Sequence, residues 1–143
     1  MRIDLTQNKL YTLSEGTLNI VDSIQEPITF NYFFSDQASK DIPQIRTYAT
    51  RVRELLQEYV QLSDGKITLH VIDPVAYSEE EDQANEYELQ GVPIGAGGET
   101  FYFGLSASNS VGESEVIPFF QPDKEQFLEY EITKLIYTLS NAK

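Results

Sequence analysis

The chain has 143 residues, with 10 Lys and Arg against 23 Asp and Glu, and its formal net charge is −13. This charge excludes binding of nucleic acid or anionic lipid through a cationic surface. The absence of cysteine excludes disulfides, thiol nucleophiles and CxxC redox chemistry, and one histidine is too few for a multi-histidine metal site. With 41% hydrophobic residues, the chain can bury the core of one domain, which we expect to span residues 1–143.

The first elements predicted along the chain are a helix and a strand. Apolar residues at helical spacing predict a helix from Thr12 to Ile24, for which Thr12 or Ser14 is the candidate N-cap. The run Ile28–Phe34 is rich in β-branched and aromatic residues, which favours a strand.

The strongest helix signal follows a polar loop. Asp41 is the expected N-cap, Pro43 suits the first turn, and Ser63-Asp64-Gly65 is typical of a helix end. Lys66–Pro74 then predicts a second strand, parallel to the first because a helix of crossover length joins them. Apolar residues on both faces near its end predict an interior place in the sheet. The apolar stripe of the long helix consists of Ile42, Ile45, Ala49, Val52, Leu55, Leu56, Tyr59 and Leu62.

The second half of the chain predicts a short helix, a hairpin and a closing helix. Ser78–Leu89 is an acidic helix, and the glycine-rich Gly95–Glu99 is a flexible connection. Thr100–Ala107 and Glu115–Phe119 form an antiparallel hairpin, and a helix runs from about Lys124 to Leu139. Its expected buried side comprises Phe127, Leu128, Ile132, Leu135, Ile136 and Leu139, flanked by Tyr130 and Tyr137.

This order of elements resembles the thioredoxin-like fold. We expect an α/β domain with a central mixed sheet of about four strands, a parallel βαβ unit plus an antiparallel hairpin, flanked by helices with an extra one at the N-terminus. The Gly-Val-Pro-Ile run at Gly91–Ile94 resembles the proline turn of that fold and implies a cis Val92–Pro93 bond. The CxxC that begins the helix after the first strand in that family is absent, so redox activity is not implied.

A closer resemblance is carried by the N-terminal block. Arg2, Asp4, Leu5 and Thr6, followed by Tyr-Thr-Leu-Ser at Tyr11–Ser14, resemble the start of the extracytoplasmic part of a bacterial family. That family comprises auxiliary subunits of uncharacterised ABC transporters, related to the gliding-motility transporter component. Pattern-level matches are EPITFNYFFS, Ile72-Asp73-Pro74, Phe103-Gly104-Leu105, VIPFF and LEYEITKLIYTL.

The transporter resemblance implies a location and partners but no catalytic residues. In that family a membrane-spanning helix directly precedes the Arg-x-Asp-Leu-Thr block. We therefore expect a periplasmic domain of a longer chain, anchored in the inner membrane by a segment outside residues 1–143. The implied partners are the membrane and ATPase subunits of the same transport system, or an envelope protein.

Three patterns in the sequence are candidates for chemical sites, and each favours a structural role. The acidic run Ser78–Asp82 lacks the spacing of a calcium loop and is typical of a solvated helix start. His70 and Asp73 point to opposite faces of a strand, which favours a packed or edge histidine over a base. The glycine run lacks the Lys and Ser/Thr of a phosphate loop. We therefore predict a noncatalytic domain without a cofactor or metal, rather than a hydrolase.

The tyrosines and the glycine-rich loop carry the binding hypotheses. We expect protein–protein contacts through the sheet edge and the Gly91–Gly98 loop, because extended peptides pair with free backbone groups. The alternative is a solute- or glycan-binding module, which needs a concave pocket lined by aromatic residues. The tyrosines expected at the surface are Tyr32, Tyr77, Tyr87, Tyr102 and Tyr130. The candidate partner-binding residues are Val92, Pro93, Gly95, Gly97, Gly98 and Tyr102.

Overall fold

Helices and strands alternate through most of the molecule in the computed structural model, which describes residues 13–94 and 99–140. Short 3₁₀ helices at Gln37–Ser39 and Pro122–Phe127 supplement the main elements. In chain order the main elements are α1 (Glu15–Asp22), β1 (Ile28–Phe34), α2 (Pro43–Leu62), β2 (Ile67–Ile72), α3 (Glu79–Glu86), β3 (Val92–Ile94), β4 (Glu99–Phe101), β5 (Phe103–Asn109), β6 (Ser114–Ile117) and α4 (Leu128–Ser140).

The central sheet has the strand order β2-β1-β5-β6. Strands β1 and β2 are parallel, whereas β5 runs antiparallel to both β1 and β6. This arrangement confirms the predicted mixed α/β sheet and is that of the thioredoxin-like fold. The predicted interior position of β2 is wrong, because β2 lies at an edge of the sheet. Its apolar residues pack above and below the sheet: Leu69 contacts the main core, and Ile72 contacts a second cluster.

A second sheet consists of the antiparallel strands β3 and β4. The sequence pattern did not predict this pair of strands. Val92 pairs with Phe101, and Ile94 pairs with Glu99, so this ladder lies apart from the central sheet. No cis peptide bond occurs within residues 13–94 and 99–140, so the implied cis state of Val92–Pro93 is wrong. Pro93 is a residue of the short strand β3, where a trans proline is tolerated because each strand of a two-stranded sheet is an edge strand.

Local signals explain most helix boundaries. Ser14 caps α1 by accepting a hydrogen bond from the Thr17 backbone N–H at 3.2 Å, whereas the other candidate cap, Thr12, lies outside the described residues. Pro43 begins α2 as predicted, but the cap position is occupied by Ile42 and not by Asp41. The helix ends at the predicted turn, where Gly65 adopts φ 92°.

The main core lies between the central sheet and the layer formed by α1, α2 and α4. Phe103 is fully buried, and its ring lies 5.2 Å from that of Phe120 and 5.7 Å from that of Tyr48, measured between centroids. The long helix buries Ala49, Val52, Leu55, Leu56 and Tyr59. The closing helix buries Leu128, Ile132, Leu135, Ile136 and Leu139.

A smaller cluster lies on the opposite face of the sheet, beneath α3. Phe33 pairs with Gly104 across the strands and packs with Ala84, Leu89 and Tyr102. A Cβ atom at Gly104 would lie 2.6 Å from the Ile117 carbonyl oxygen and 2.9 Å from Leu89 Cδ2. Glycine at this position therefore allows the end of β6 and the Leu89 side chain, which follows α3, to lie close to β5.

Candidate functional site

The predicted loop site is only partly assembled. Val92 is half-buried and Pro93 is exposed in β3, whereas Gly95, Gly97 and Gly98 lie outside the described residues. Tyr102 is only 3% exposed, and its hydroxyl donates to the Glu81 carboxylate and the Asn85 side-chain oxygen, each at 3.4 Å. Burial, reinforced by the Glu81 charge, raises the pKa of Tyr102. This hydroxyl therefore holds α3 against the sheet.

Three of the five tyrosines expected at the surface are exposed. Tyr77 is 98% exposed, Tyr130 61% and Tyr87 38%. The expectation is wrong for Tyr32 and Tyr102, which are 1% and 3% exposed. The alternation of side chains along β1 indicates that Tyr32 is buried, because it places this residue on the same side of the strand as Ile28 and Phe30. Its hydroxyl donates to the Ala49 carbonyl at 2.8 Å.

The structure does not join His70 and Asp73 into a catalytic pair. His70 is exposed on β2, opposite Asn31 of β1. Asp73 accepts a long hydrogen bond of 3.4 Å from the Gln37 backbone N–H. Partial burial raises its pKa, although that hydrogen bond opposes the shift. Neither residue therefore has the geometry of a base with its orienting partner.

The acidic run forms the first turn of α3. Glu79, Glu80, Glu81 and Asp82 occupy this turn, and Ser78 caps the helix. Carboxylates are favourable there because they complement the positive end of the helix dipole. Within residues 13–94 and 99–140, no group of three His, Asp or Glu side chains is arranged to hold a metal ion.

The site of a thioredoxin redox motif, between β1 and α2, is filled by structural hydrogen bonds. The buried Ser35 hydroxyl accepts from the Tyr102 backbone N–H at 2.8 Å. Asp36 forms an ion pair with Arg46 at 2.9 Å, and the same guanidinium donates to the Asp36 carbonyl. These contacts tie the loop after β1 to α2 and to the start of β5.

A groove of about 630 Å³ lies between α1 and α4. We call it the tyrosine groove and define it by the lining residues given at the end of this paragraph. Two of its tyrosines are exposed, Tyr130 at 61% and Tyr137 at 56%. The Lys134 ammonium lies 5.9 Å from the centre of the Tyr130 ring, within reach of a cation–π contact. The lining residues are Ser14, Gly16, Thr17, Ile20, Gln126, Glu129, Tyr130, Thr133, Lys134 and Tyr137.

A hydrogen-bond network forms the floor of this groove. The Glu129 carboxylate accepts from the Ser14 backbone N–H at 3.0 Å and from the Thr17 hydroxyl at 2.6 Å. Thr133 lies 3.0 Å from the Thr17 hydroxyl and 2.7 Å from the Tyr59 hydroxyl. The network therefore joins α1, α2 and α4, so the groove has a rigid polar floor beneath aromatic walls. The sequence indicated the tyrosines beside the buried stripe of α4 but contained no signal for this pairing with α1.

The fold and these surfaces define a thioredoxin-like α/β domain without cysteine, with a groove between α1 and α4. Residues 7–108 match the family described as a domain of unknown function (DUF7088). This match covers more than two thirds of the chain, and the chain therefore belongs to that family. It extends from before α1 to the end region of β5, so β6 and α4 lie outside it.

No curated protein and no solved structure matches this chain. None of the helices in the described part of the molecule is long and apolar enough to cross a membrane.

Proposed function

We propose that this chain is a noncatalytic, extracytoplasmic domain of an auxiliary subunit of a bacterial ABC-type transport system. In this proposal the domain contacts the membrane or ATPase subunits of the same system, or an envelope protein, and a segment outside residues 1–143 anchors it. The N-terminal block Arg2–Ser14 supports the family resemblance on which the location and the partners depend.

The observation that carries the contact function is the tyrosine groove. Exposed apolar and aromatic side chains grouped on one surface mark protein contact sites, and Tyr is enriched at their centres. Ile20 of α1 adds an apolar side chain to the lining of the groove. The polar floor offers little room for rearrangement, because its hydroxyl and carboxylate groups are already hydrogen-bonded to one another.

The tyrosine groove lies at the N-terminal end of the domain, because α1 forms one of its walls. This position suits a contact near the membrane. Ser14, which lies just after the N-terminal block in sequence, lines the groove, and its backbone N–H bonds to Glu129. A membrane helix before Arg2, as the resemblance implies, would tether the domain at this end. The tyrosine groove would then be available to a neighbouring subunit in the same membrane.

Site-specific photocrosslinking in native membranes tests this proposal. The full-length protein would carry a photoreactive phenylalanine in place of Tyr130, and a matched control would carry it in place of Tyr77, which is 98% exposed on the α3 side. We expect Tyr130 to crosslink to a membrane or ATPase subunit of an ABC transporter, identified by mass spectrometry, and the control not to do so. Equal crosslinking from both positions, or none to such a subunit, would contradict the proposal.

Residues 1–143 contain no cysteine, so the location can be tested separately with a thiol introduced into the full-length protein and the unsubstituted protein as the background control. A single Ser110→Cys substitution introduces one thiol on the exposed turn between β5 and β6. We expect a membrane-impermeant maleimide to label this thiol in intact spheroplasts. Labelling only after lysis would place the domain on the cytoplasmic side and would contradict the proposed location.

A further inference from the structure

Within residues 13–94 and 99–140, the outer edge of β6 has backbone hydrogen-bonding groups with which no further strand pairs. The Asn109 backbone N–H donates to the Glu113 carbonyl at 3.0 Å, which fixes these two residues as a hydrogen-bonded pair of the antiparallel ladder. Such pairs alternate with non-bonded ones, and Ser108 and Ser106 face Ser114 and Val116 in the observed register. The N–H and C=O groups of Ser114 and Val116 therefore point away from β5.

One end of this edge is closed and the rest is open. The Gln90 backbone N–H donates to the Pro118 carbonyl at 3.1 Å, so the segment after α3 covers the edge beyond Ile117. In the described part of the chain, β6 is the last strand on its side of the sheet. It lacks the Pro or Lys that commonly protects an edge strand from pairing.

A groove of about 310 Å³ lies beside β6 on its helix side. Ile117 and Phe119 form the strand side of this groove, and Leu128 and Glu131 form part of the helix side. Phe127 also lines it and is 50% exposed, although the sequence pattern predicted burial, because it belongs to the 3₁₀ helix that precedes α4. A strand added outside β6 would direct every second side chain toward this groove.

The negative charge around the groove favours a partner with basic side chains. Glu131 lines it, and Glu113 and Glu115 are exposed at the start of β6, against the single cation Lys124 among the lining residues. A Lys or Arg side chain entering from an added strand can lay its alkyl stem along Phe127 and direct its charge toward these carboxylates. Two copies of this chain paired through β6 would instead bring the carboxylates of both copies together, which is unfavourable.

We infer that β6 is a docking edge for an extended segment of a partner protein, with Arg or Lys at alternate positions. The segment adds a fifth strand to the central sheet through the outward groups of Ser114 and Val116. Its basic side chains occupy the groove beside Phe127. This inference is independent of the transporter proposal, because it depends only on the ladder, the groove and the charges.

Binding of a short peptide to the purified domain tests the inference. The probe is a capped hexapeptide in which Arg and Val alternate, and its Kd is measured by isothermal titration calorimetry. We expect Val116→Pro to weaken binding at least tenfold, because it removes an outward N–H without breaking a bond to β5. The matched control is Val71→Pro on the opposite edge. The Ile28 N–H donates to the Lys66 carbonyl, so Val71 in the parallel ladder also has an outward N–H. We expect this control to bind within twofold of the parent.

A charge exchange supplies a test that leaves the backbone unchanged. In the double variant Glu115→Lys, Glu131→Lys, we expect the Arg–Val peptide to bind at least tenfold more weakly and a Glu–Val peptide to bind more tightly than to the parent. Equal loss from Val116→Pro and Val71→Pro, equal binding of both peptides to the parent, or dimerisation of the domain through β6 in sedimentation would overturn the inference.

Discussion

Substitution of Gly104 by alanine tests how closely the segment after α3 approaches the central sheet. An added Cβ would lie 2.6 Å from the Ile117 carbonyl oxygen, 2.9 Å from Leu89 Cδ2 and 2.9 Å from the Pro118 carbonyl oxygen. Two of these neighbours are backbone atoms of β6 or of the residue that follows it, so a change of side-chain rotamer cannot relieve the overlap. Since Gly104 belongs to the extended strand β5, the cost is steric.

The expected magnitude follows from the cost of overpacking a core. Gly104→Ala should lower the free energy of unfolding by about 1–3 kcal/mol, which corresponds to a fall of about 2–4 °C in Tm for each kcal/mol in a domain of this size. The matched control is Gly16→Ala in α1, where an added Cβ has only the Ser14 hydroxyl, at 4.0 Å, within range. Alanine in a helix should raise stability there by up to about 1 kcal/mol.

Urea denaturation followed by far-UV circular dichroism measures both variants, since the chain has no Trp to serve as a fluorescent reporter. The expected result is a lower midpoint for Gly104→Ala and a higher one for Gly16→Ala, with unchanged slopes. Equal midpoints for the parent and Gly104→Ala would mean that the backbone at Ile117 and Pro118 and the Leu89 side chain move away from β5 easily. Glycine would then not be required at position 104 for these close contacts.

Three further predictions concern the tyrosine groove, the loop after β2 and the turn before α3. Thr17→Val should lower stability by about 1–3 kcal/mol, because it removes the hydroxyl that joins Glu129 to Thr133; an unchanged urea midpoint would show that the network is dispensable. The raised pKa of Asp73 means that its stabilising contribution is present when it is protonated and is lost as pH rises through the folded-state pKa. Asp73→Asn should thus be more stable than the parent at pH 7 and similar to it below the ordinary pKa of 3.8, and a difference that is constant with pH in denaturation curves would contradict this. Tyr77 has φ 66° and is 98% exposed, so Tyr77→Gly should leave Tm unchanged or raise it, whereas a clear fall in Tm would assign its ring a structural role.

The elements that the sequence predicts well are those whose signals are local. Strand Ile28–Phe34 was predicted with the bounds that the structure has, because an unbroken run of β-branched and aromatic residues lies between a proline and a polar loop. The cap at Ser14 and the turn at Gly65 likewise depend on only a few neighbouring residues. The position of β2 at the sheet edge depends instead on which strand pairs with β1 and on helices that cover both faces. Periodicity carries no information about that choice.

The candidate site was also harder to predict, because its side chains come from segments that are distant in the sequence. Tyr102 was expected at the surface, but α3 covers its ring, and Gly104 leaves room for the Leu89 side chain, which follows α3, against the sheet. The pairing of Thr17 with Glu129 joins residues 112 positions apart in the chain. Each of these features is produced by packing between distant segments, so a pattern within one segment identifies the residue types but not their neighbours.

The tyrosine groove and the β6 edge are suited to different partners. The groove has aromatic walls above a floor whose polar groups are already hydrogen-bonded, so a partner there gains chiefly from burial of apolar surface, with little dependence on salt. The β6 edge offers free backbone groups beside exposed carboxylates, so binding there should weaken as ionic strength rises. Salt dependence therefore distinguishes the surfaces: a partner released by Tyr130→Ala should stay bound at high salt, and one released by Val116→Pro should not. Under the two proposals, contacts of these two kinds would allow one small domain to hold a neighbouring subunit while a second, basic segment binds and leaves.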